Sequence, residues 1–151
     1  MNKEGVFNKP IVLQIGSILE AALGEIIYRA QNFNREGVPN ISESDRLEIE
    51  SKKIDKLNTI IDVMKKYKVL DALGGDIYDN LHKLRKYRNK IHIQDDIAID
   101  GVSRDEGEAF SEAVRTWAIA LNKEVLKHLS ENFSRPKELS GFVGDLSIPS
   151  F

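Results

Sequence analysis

The feature that most constrains the fold of this chain is an apolar repeat near its N-terminus. Over residues 8–33 apolar side chains recur at intervals of three and four, namely Ile11, Ile15, Ile18, Leu19, Ala22, Leu23, Ile26 and Ile27. That spacing follows the 3.6-residue turn of an α-helix, so it predicts a long helix with a wide apolar face. Asn8 is placed to cap this helix, and Pro10 suits its first turn, where an N–H is not needed.

Three residues interrupt the first predicted helix. Gly16 and Gly24 each weaken a helix by up to about 1 kcal/mol relative to Ala, so packing must hold the segment together. Close approach of another helix is one reason for small residues there. Glu20 lies near the middle of the segment, where it either faces solvent or pairs with a basic residue in a groove. The sequence leaves both roles open.

Three further segments have helical patterns. The second helix begins near Ser44 or Asp45, the third begins near Asp76 and continues to His92, and the fourth opens at a capping box from Ser103 to Glu106. The second carries an apolar side formed by Leu47, Ile54, Leu57, Ile61, Met64 and Tyr67. The fourth carries a stripe formed by Phe110, Val114, Trp117, Leu121, Val125 and Leu129.

These four amphipathic helices predict an all-α fold, a four-to-five-helix bundle in a single domain of residues 1–132. A loop is expected at residues 34–44, and a short extended segment or loop at residues 93–102. Residues 133–151 contain two prolines and two glycines without a helical pattern, so we expect a poorly ordered or peripheral tail.

Composition excludes several classes of site. The 151 residues contain no cysteine, which removes disulfides, thiolate nucleophiles and cysteine-ligated metals. The N-terminus has no apolar signal region, and Glu20, Glu25 and Arg29 interrupt the most hydrophobic segment. We therefore expect a cytoplasmic protein that does not enter a membrane. The 22 basic and 24 acidic side chains nearly cancel, so net charge indicates no partner.

The third predicted helix carries the most specific chemistry. Residues 81–92 hold five Lys or Arg and no Asp or Glu. Arg85, Arg88 and His92 fall within about 60° of one another on a helix, beside the apolar stripe, and thus form one ridge. Tyr78, His82 and Asn89 border that ridge and predict a polar groove. Three lysines point away from the stripe: Lys83, Lys86 and Lys90.

The run from Leu84 to His92 resembles the signature of the HEPN superfamily, the higher eukaryotes and prokaryotes nucleotide-binding domain. In that family, an Arg that is often followed by Asn precedes a His by four to six intervening residues. Here Arg88-Asn89 matches the dipeptide, but only three residues separate Arg88 from His92, whereas six separate Arg85 from His92. Either Arg85 takes the motif role with Arg88 assisting, or the site has lost strict catalytic geometry.

The resemblance implies a small helical bundle and a metal-independent endoribonuclease or RNA-binding protein without a cofactor. It also implies a homodimer with its cleft between two protomers, in a toxin–antitoxin or phage-defence system with an antitoxin partner. In such a site His92 would be the acid or base for an RNA 2′-OH or 5′-oxygen, and Arg88 or Arg85 would stabilise the phosphorane. Asn89 would orient a phosphate oxygen or the imidazole. The candidate RNA-binding residues would be Lys83, Lys86 and Lys90.

A noncatalytic interpretation competes with this one. Cations and a histidine at a helix C-terminus stabilise the helix without any substrate, which accounts for Arg88, Lys90 and His92. The chain would then be a helical module for dimerisation or partner binding. His82 and His128 are expected at the surface or its boundary, since neither has a partner at a metal-binding spacing. The aromatic residues Phe110 and Trp117 are expected in the core, and Tyr87 in the core or an interface.

Overall fold

The structure is a computed structural model that describes residues 5–32, 38–90, 102 and 105–139. The helices in that part are α1 (Asn8–Asn32), α2 (Glu43–Glu50), α3 (Leu57–Lys66), α4 (Ile77–Asn89), α5 (Glu106–Ala109) and α6 (Glu112–Asn132), with 3₁₀ turns at Asp71–Leu73 and Lys137–Leu139. Pairing of extended backbone in the described residues is limited to one isolated bridge between Val38 and Ile41. The predicted all-α helical bundle is confirmed.

The first helix, α1, is the centre of the bundle. It contacts α6, α4, α2 and α3, and Val12, Leu19 and Leu23 on its inner face are completely buried. Helices packed on several sides cover the wide apolar face predicted from the repeat. The predicted bounds of this helix, 8 to about 33, agree with the observed end at Asn32.

The predicted second helix is two helices that are separated by residues 51–56. The α2 helix begins with a capping box between Ser42 and Asp45 and has only two turns. Because the break lets α2 orient independently of α3, Ile49 is buried and Leu47 is 59% exposed, so the predicted place of Leu47 in one long apolar stripe is wrong. Lys66 of α3 hydrogen-bonds Glu48 of α2 and so links the two helices. Hydrogen bonds from Lys52, four residues after Glu48, and from Lys66 lower the pKa of Glu48 to about 2.

The predicted fourth helix is also divided. A single turn, α5, precedes Phe110, and α6 begins after Ser111, whose side chain accepts a hydrogen bond from the Val114 N–H at 3.4 Å. Phe110 leaves the helical path and is 5% exposed, with its ring against Tyr87. The long stripe from Phe110 to Leu129 therefore belongs to two elements. Ser103 of the predicted capping box lies outside the described residues.

Core packing continues one residue beyond the predicted domain boundary at 132. Phe133 is buried, and its carbonyl accepts a 2.6 Å hydrogen bond from Nη1 of Arg29, which is itself only 4% exposed. Arg135 forms an ion pair with Glu25 on α1. The first residues after α6 are therefore attached to α1.

The α1 helix has the length and composition of a membrane-crossing helix, with a mean hydropathy of 1.6 over 18 residues. A core helix can meet the same criterion, and the inner face of α1 packs against α6, α4, α2 and α3. Glu20, Glu25 and Arg29, its internal charged residues, all have partners in other elements. Absence from the membrane and a cytoplasmic location stay predictions.

Candidate functional site

The candidate site lies on α4, which is anchored at both ends. Ile77, Leu81 and Leu84 are buried at helical spacing and hold one side of α4 on the core. Near the first turn, the Tyr78 hydroxyl accepts a hydrogen bond from the Leu70 N–H at 3.1 Å and donates to Asp71 Oδ1 at 2.7 Å. Burial, followed by the bond to Asp71, raises the pKa of Tyr78 to about 12.

Arg88 is held by Glu20 of α1. Its two terminal nitrogens contact the two carboxylate oxygens at 2.9 and 2.6 Å, the paired geometry that suits a guanidinium and a carboxylate. Glu20 Oε1 also accepts a hydrogen bond from the Leu57 N–H at 3.1 Å. The question that the sequence left open for Glu20 is thus resolved: it pairs with a basic residue of α4.

The same carboxylate caps a helix. Lys56, at the N-cap of α3, makes no side-chain capping bond, and Leu57 is the first residue of that helix. Glu20 supplies from α1 the acceptor and the negative charge that favour a helix N-terminus. One carboxylate therefore joins α1, α3 and α4.

Gly16 explains how Arg88 reaches Glu20. A Cβ added to Gly16 would lie 3.2 Å from Cδ and 3.3 Å from Cβ of Arg88. The arginine stem thus passes directly over the glycine, and its head group reaches Glu20 one turn farther along α1. Close approach of another helix, the reason suggested for the glycine, is confirmed at this position. The structure therefore places Arg88 on the α1-facing side of α4.

Arg85 contrasts with Arg88. Its Nε is buried and has no hydrogen-bond partner, and within the described part of the chain its guanidinium makes no hydrogen bond or ion pair. The Nε atoms of Arg29 and Arg115 are also buried without a partner, but each of those guanidinium groups bonds through a terminal nitrogen, to the Phe133 carbonyl and to Glu112 respectively. Of the two arginines in the predicted ridge, Arg88 is paired with a carboxylate and Arg85 has no carboxylate partner among the described residues.

The other predicted site residues lie near or beyond the C-terminal end of α4. The predicted third helix extended to His92, whereas α4 ends at Asn89 with Lys90 as its C-cap. His92 lies outside the described residues, and so does most of the predicted extended segment at 93–102. Asn89, Lys86 and Lys90 are partly exposed near the end of α4.

An aromatic cluster occupies the opposite side of α4 from Arg85. The Tyr87 ring lies 5.7 Å from the Phe110 ring and 6.0 Å from the Trp117 ring, between centroids. Tyr87 and Phe110 are buried, as expected, whereas Trp117 is partly exposed. Burial raises the pKa of Tyr87. Lys83 Nζ lies 4.7 Å from the centroid of the Trp117 ring, a cation–π contact that the sequence analysis did not anticipate.

The two described histidines lie at the boundary of the core, as predicted. His82 Nε2 is 3.5 Å from Asp62 Oδ1, and His128 Nε2 is 3.0 Å from the Val69 carbonyl. In the described residues no group of three His, Asp or Glu side chains is arranged to hold a metal ion. Within the described part of the chain, no hydrogen bond joins either histidine to Arg85.

The pairing of Glu20 with Arg88 was not predicted from the sequence. A signal was present, because Gly16 and Glu20 are separated by one helical turn and so share a face that can accept a long side chain. What the sequence did not contain was the pairing of α1 with α4 at that level. The arginine that has the familiar Asn neighbour is thus the one held by the fold.

No protein-family model, no curated protein and no solved structure matches the chain.

Proposed function

We propose that this chain is a HEPN-like, metal-independent endoribonuclease in which Arg85 and His92 form the reactive pair. The observation that carries the proposal is the contrast between two arginines of one helix: Arg88 is bound bidentately by Glu20, and Arg85 has no such partner. The six residues between Arg85 and His92 also match the family spacing, which the Arg88 pair does not.

The chemistry requires two proton transfers and stabilisation of charge. The RNA 2′-oxygen attacks the adjacent phosphorus as a base removes its proton, and the bond from phosphorus to the 5′-oxygen breaks as an acid protonates that oxygen. An imidazole that titrates near neutrality suits either role, so His92 supplies one of them. In a homodimer, two such sites face each other and supply both the acid and the base.

Arg85 would stabilise the phosphorane through its N–H donors, which are not occupied by a carboxylate of the described residues. Asn89 lies one helical turn beyond Arg85 and would orient a phosphate oxygen or the imidazole. Lys83, Lys86 and Lys90 supply positive charge for the RNA backbone. Arg88 then acts as a positioning residue that fixes α4 on α1.

A toxin–antitoxin or phage-defence role, with an antitoxin as a further partner, is part of the proposal only through the family resemblance. It is tested by the RNA that is cleaved and by the proteins that bind the chain.

A noncatalytic module for dimerisation or partner binding is the second candidate. The observation in its favour is again the Arg88–Glu20 pair, because it gives the Arg-Asn dipeptide a structural role that needs no substrate. In that case Arg85 would be a cation at the partner interface. The two candidates differ in whether purified protein breaks RNA.

The test is a cleavage assay on mixed RNA with EDTA present, using wild-type protein and His92→Ala. We expect the wild type to leave 2′,3′-cyclic phosphate ends and the variant to lose about 100-fold or more of the rate, the usual contribution of an acid or base. Matched His82→Ala protein should retain full activity. Cleavage that does not depend on His92, or absence of cleavage by a homodimer that binds RNA, would contradict the ribonuclease.

A further inference from the structure

The surface between α4 and α6 presents a tryptophan in a fixed orientation. Trp117 Nε1–H donates to Asn80 Oδ1 at 3.2 Å, and the Tyr87 ring packs against the indole from the core side. The indole is partly exposed, and the exposed Lys83 lies over its ring. An aromatic ring that is held by the core and partly exposed beneath a lysine can serve as a platform for stacking when the lysine side chain moves aside.

Lys83 lies over the Trp117 ring in a contact that is weak and easily displaced. In the described chain it has no carboxylate within ion-pair distance, and its recorded contact is the Trp117 ring at 4.7 Å. Such cation–π contacts at exposed sites are weak, and an exposed lysine keeps much of its side-chain freedom. A ligand that offers both an aromatic face and a negative charge can therefore take the ring and the ammonium group at once.

A path of basic residues connects this platform with Arg85. Residues two apart on a helix point to nearly opposite sides, so Lys83 and Arg85 lie on different sides of α4. Lys86 and Lys90 lie between them on the outer side, and the only acidic residue of α4 is Asp79 in its first turn. A polyanion that contacts Arg85 would thus pass over lysines before it reaches Trp117.

We infer that Trp117 and Lys83 form a second contact for single-stranded RNA, in which an unpaired base stacks on the indole and Lys83 binds a neighbouring phosphate. Stacking on aromatic rings combined with backbone charge is the usual way to hold single strands without reading sequence. The inference rests on the proposed function, since RNA is taken as the ligand. It places the strand across the outer side of α4, between Arg85 and Trp117. A duplex has no free base for the platform.

The chain has one tryptophan, so its fluorescence reports on this platform alone. The experiment titrates wild-type protein with a single-stranded 2′-O-methyl oligonucleotide, which lacks the nucleophilic hydroxyl and cannot be cleaved. We expect saturable quenching that follows binding measured by anisotropy of a labelled oligonucleotide. Inorganic polyphosphate should bind without comparable quenching, because it has charge and no base, and the duplex should quench less than the single strand.

Variants separate the platform from general charge. Trp117→Leu should weaken binding about tenfold, the order of effect expected for one lost stacked base, and Trp117→Phe should restore most of it. Lys83→Ala should weaken binding more than Lys65→Ala, which removes the same charge from an exposed position on α3. Circular dichroism on each variant confirms that the bundle is intact.

Binding without quenching, absence of binding, or equal effects of Lys83→Ala and Lys65→Ala would overturn the inference. The same experiments distinguish failure of this inference from failure of the proposed ribonuclease. Quenching by the analogue without cleavage of ordinary RNA would support the Trp117 contact and contradict the nuclease. Cleavage of ordinary RNA without quenching would support the nuclease and contradict the Trp117 contact.

Discussion

At the scale of single residues, the Glu20 carboxylate serves three elements at once. It binds both terminal nitrogens of Arg88 on α4 and accepts the first N–H of α3. Its side chain is 24% exposed and that of Arg88 is 31% exposed, so water screens the pair less than it screens a surface pair. Removing one partner leaves the other partly buried and uncompensated.

We therefore expect Glu20→Gln to lower the free energy of unfolding by about 1–3 kcal/mol, measured by urea denaturation. Glu50→Gln is the matched control, since Glu50 is 54% exposed and lies 3.5 Å from Arg46. That substitution should change stability by less than about 0.5 kcal/mol. Equal effects of the two substitutions would show that Glu20 is an ordinary surface acid.

Tyr78 is the second residue with a measurable consequence. Its folded-state pKa, about 12, lies above the ordinary value of 10.0, so the protonated phenol is favoured by folding. This contribution to stability is fully present below pH 10 and is lost as the pH rises through 12. We expect denaturation midpoints of the wild type to fall more steeply between these pH values than those of Tyr78→Phe.

The Tyr78→Phe variant should also be less stable at neutral pH, because the Leu70 N–H and Asp71 lose their partner, at a cost of about 1–3 kcal/mol. Tyr87→Phe provides a comparison, since Tyr87 is buried but its hydroxyl makes no hydrogen bond to the described residues. Parallel alkaline curves for wild type and Tyr78→Phe would mean that this hydroxyl is not linked to folding.

Residue types and helical spacing predicted the basic ridge, but they did not predict which of its arginines pairs with a carboxylate. The sequence placed Arg85, Arg88 and His92 together by helical geometry and left open which arginine had the motif role. The distinction depends on a glycine and a glutamate that are about 70 residues away on α1. Helical periodicity orders neighbours along one helix, whereas contacts between helices depend on packing that it does not specify.

At the scale of elements, two glycines of α1 make a matched pair. Replacing Gly by Ala in a helix adds about 1 kcal/mol of stability when the new methyl group fits. At Gly24 the nearest atom would be Ile60 Cδ1 at 3.6 Å, an ordinary contact, whereas at Gly16 the methyl would meet the Arg88 stem at 3.2 Å.

We expect Gly24→Ala to raise the melting temperature by about 2–4 °C, the shift that corresponds to about 1 kcal/mol in a domain of this size. Gly16→Ala should give no gain, or a loss, because Arg88 must move away from α1 and its pair with Glu20 is strained. A gain of the same size at both positions would indicate that α1 and α4 are not closely packed at Gly16.

Periodicity predicted the existence of helices better than their continuity. The predicted second and fourth helices are each divided in two. Ser42 caps α2, the first half of the predicted second helix, and Ser111 caps α6, the second half of the predicted fourth helix. Capping signals were visible in the sequence near Ser44 and Ser103, but several serines compete for each start. The burial of Ile49 and Phe110, which decides between them, is a property of the assembled bundle.

At the scale of the whole molecule, α1 is the element on which the others assemble. Its apolar repeat, together with the three further amphipathic segments, predicted a helical bundle, and the wide face of α1 does pack against partners on several sides. The burial of Phe133 after α6 was not predictable, because it rests on one carbonyl and one arginine of α1 rather than on any periodic pattern. The fold was therefore predicted more completely than the site.

The proposed ribonuclease divides two roles between the arginines of α4. Arg88 pairs with Glu20 and so joins α1, α3 and α4, whereas Arg85 would be the arginine that contacts RNA. Arg88→Ala should thus lower the melting temperature, by about 4–10 °C for a loss of about 2–3 kcal/mol. Arg85→Ala removes a buried nitrogen without a partner, so it should melt at or slightly above the wild-type temperature.

The measurement that tests this account most directly is thermal unfolding and EDTA-resistant RNA cleavage on the same preparations of Arg85→Ala and Arg88→Ala. The account predicts that Arg85→Ala remains as stable as the wild type and loses cleavage, while Arg88→Ala is clearly less stable. An Arg85→Ala protein that cleaves RNA at the wild-type rate, or an Arg88→Ala protein with unchanged stability, would contradict it.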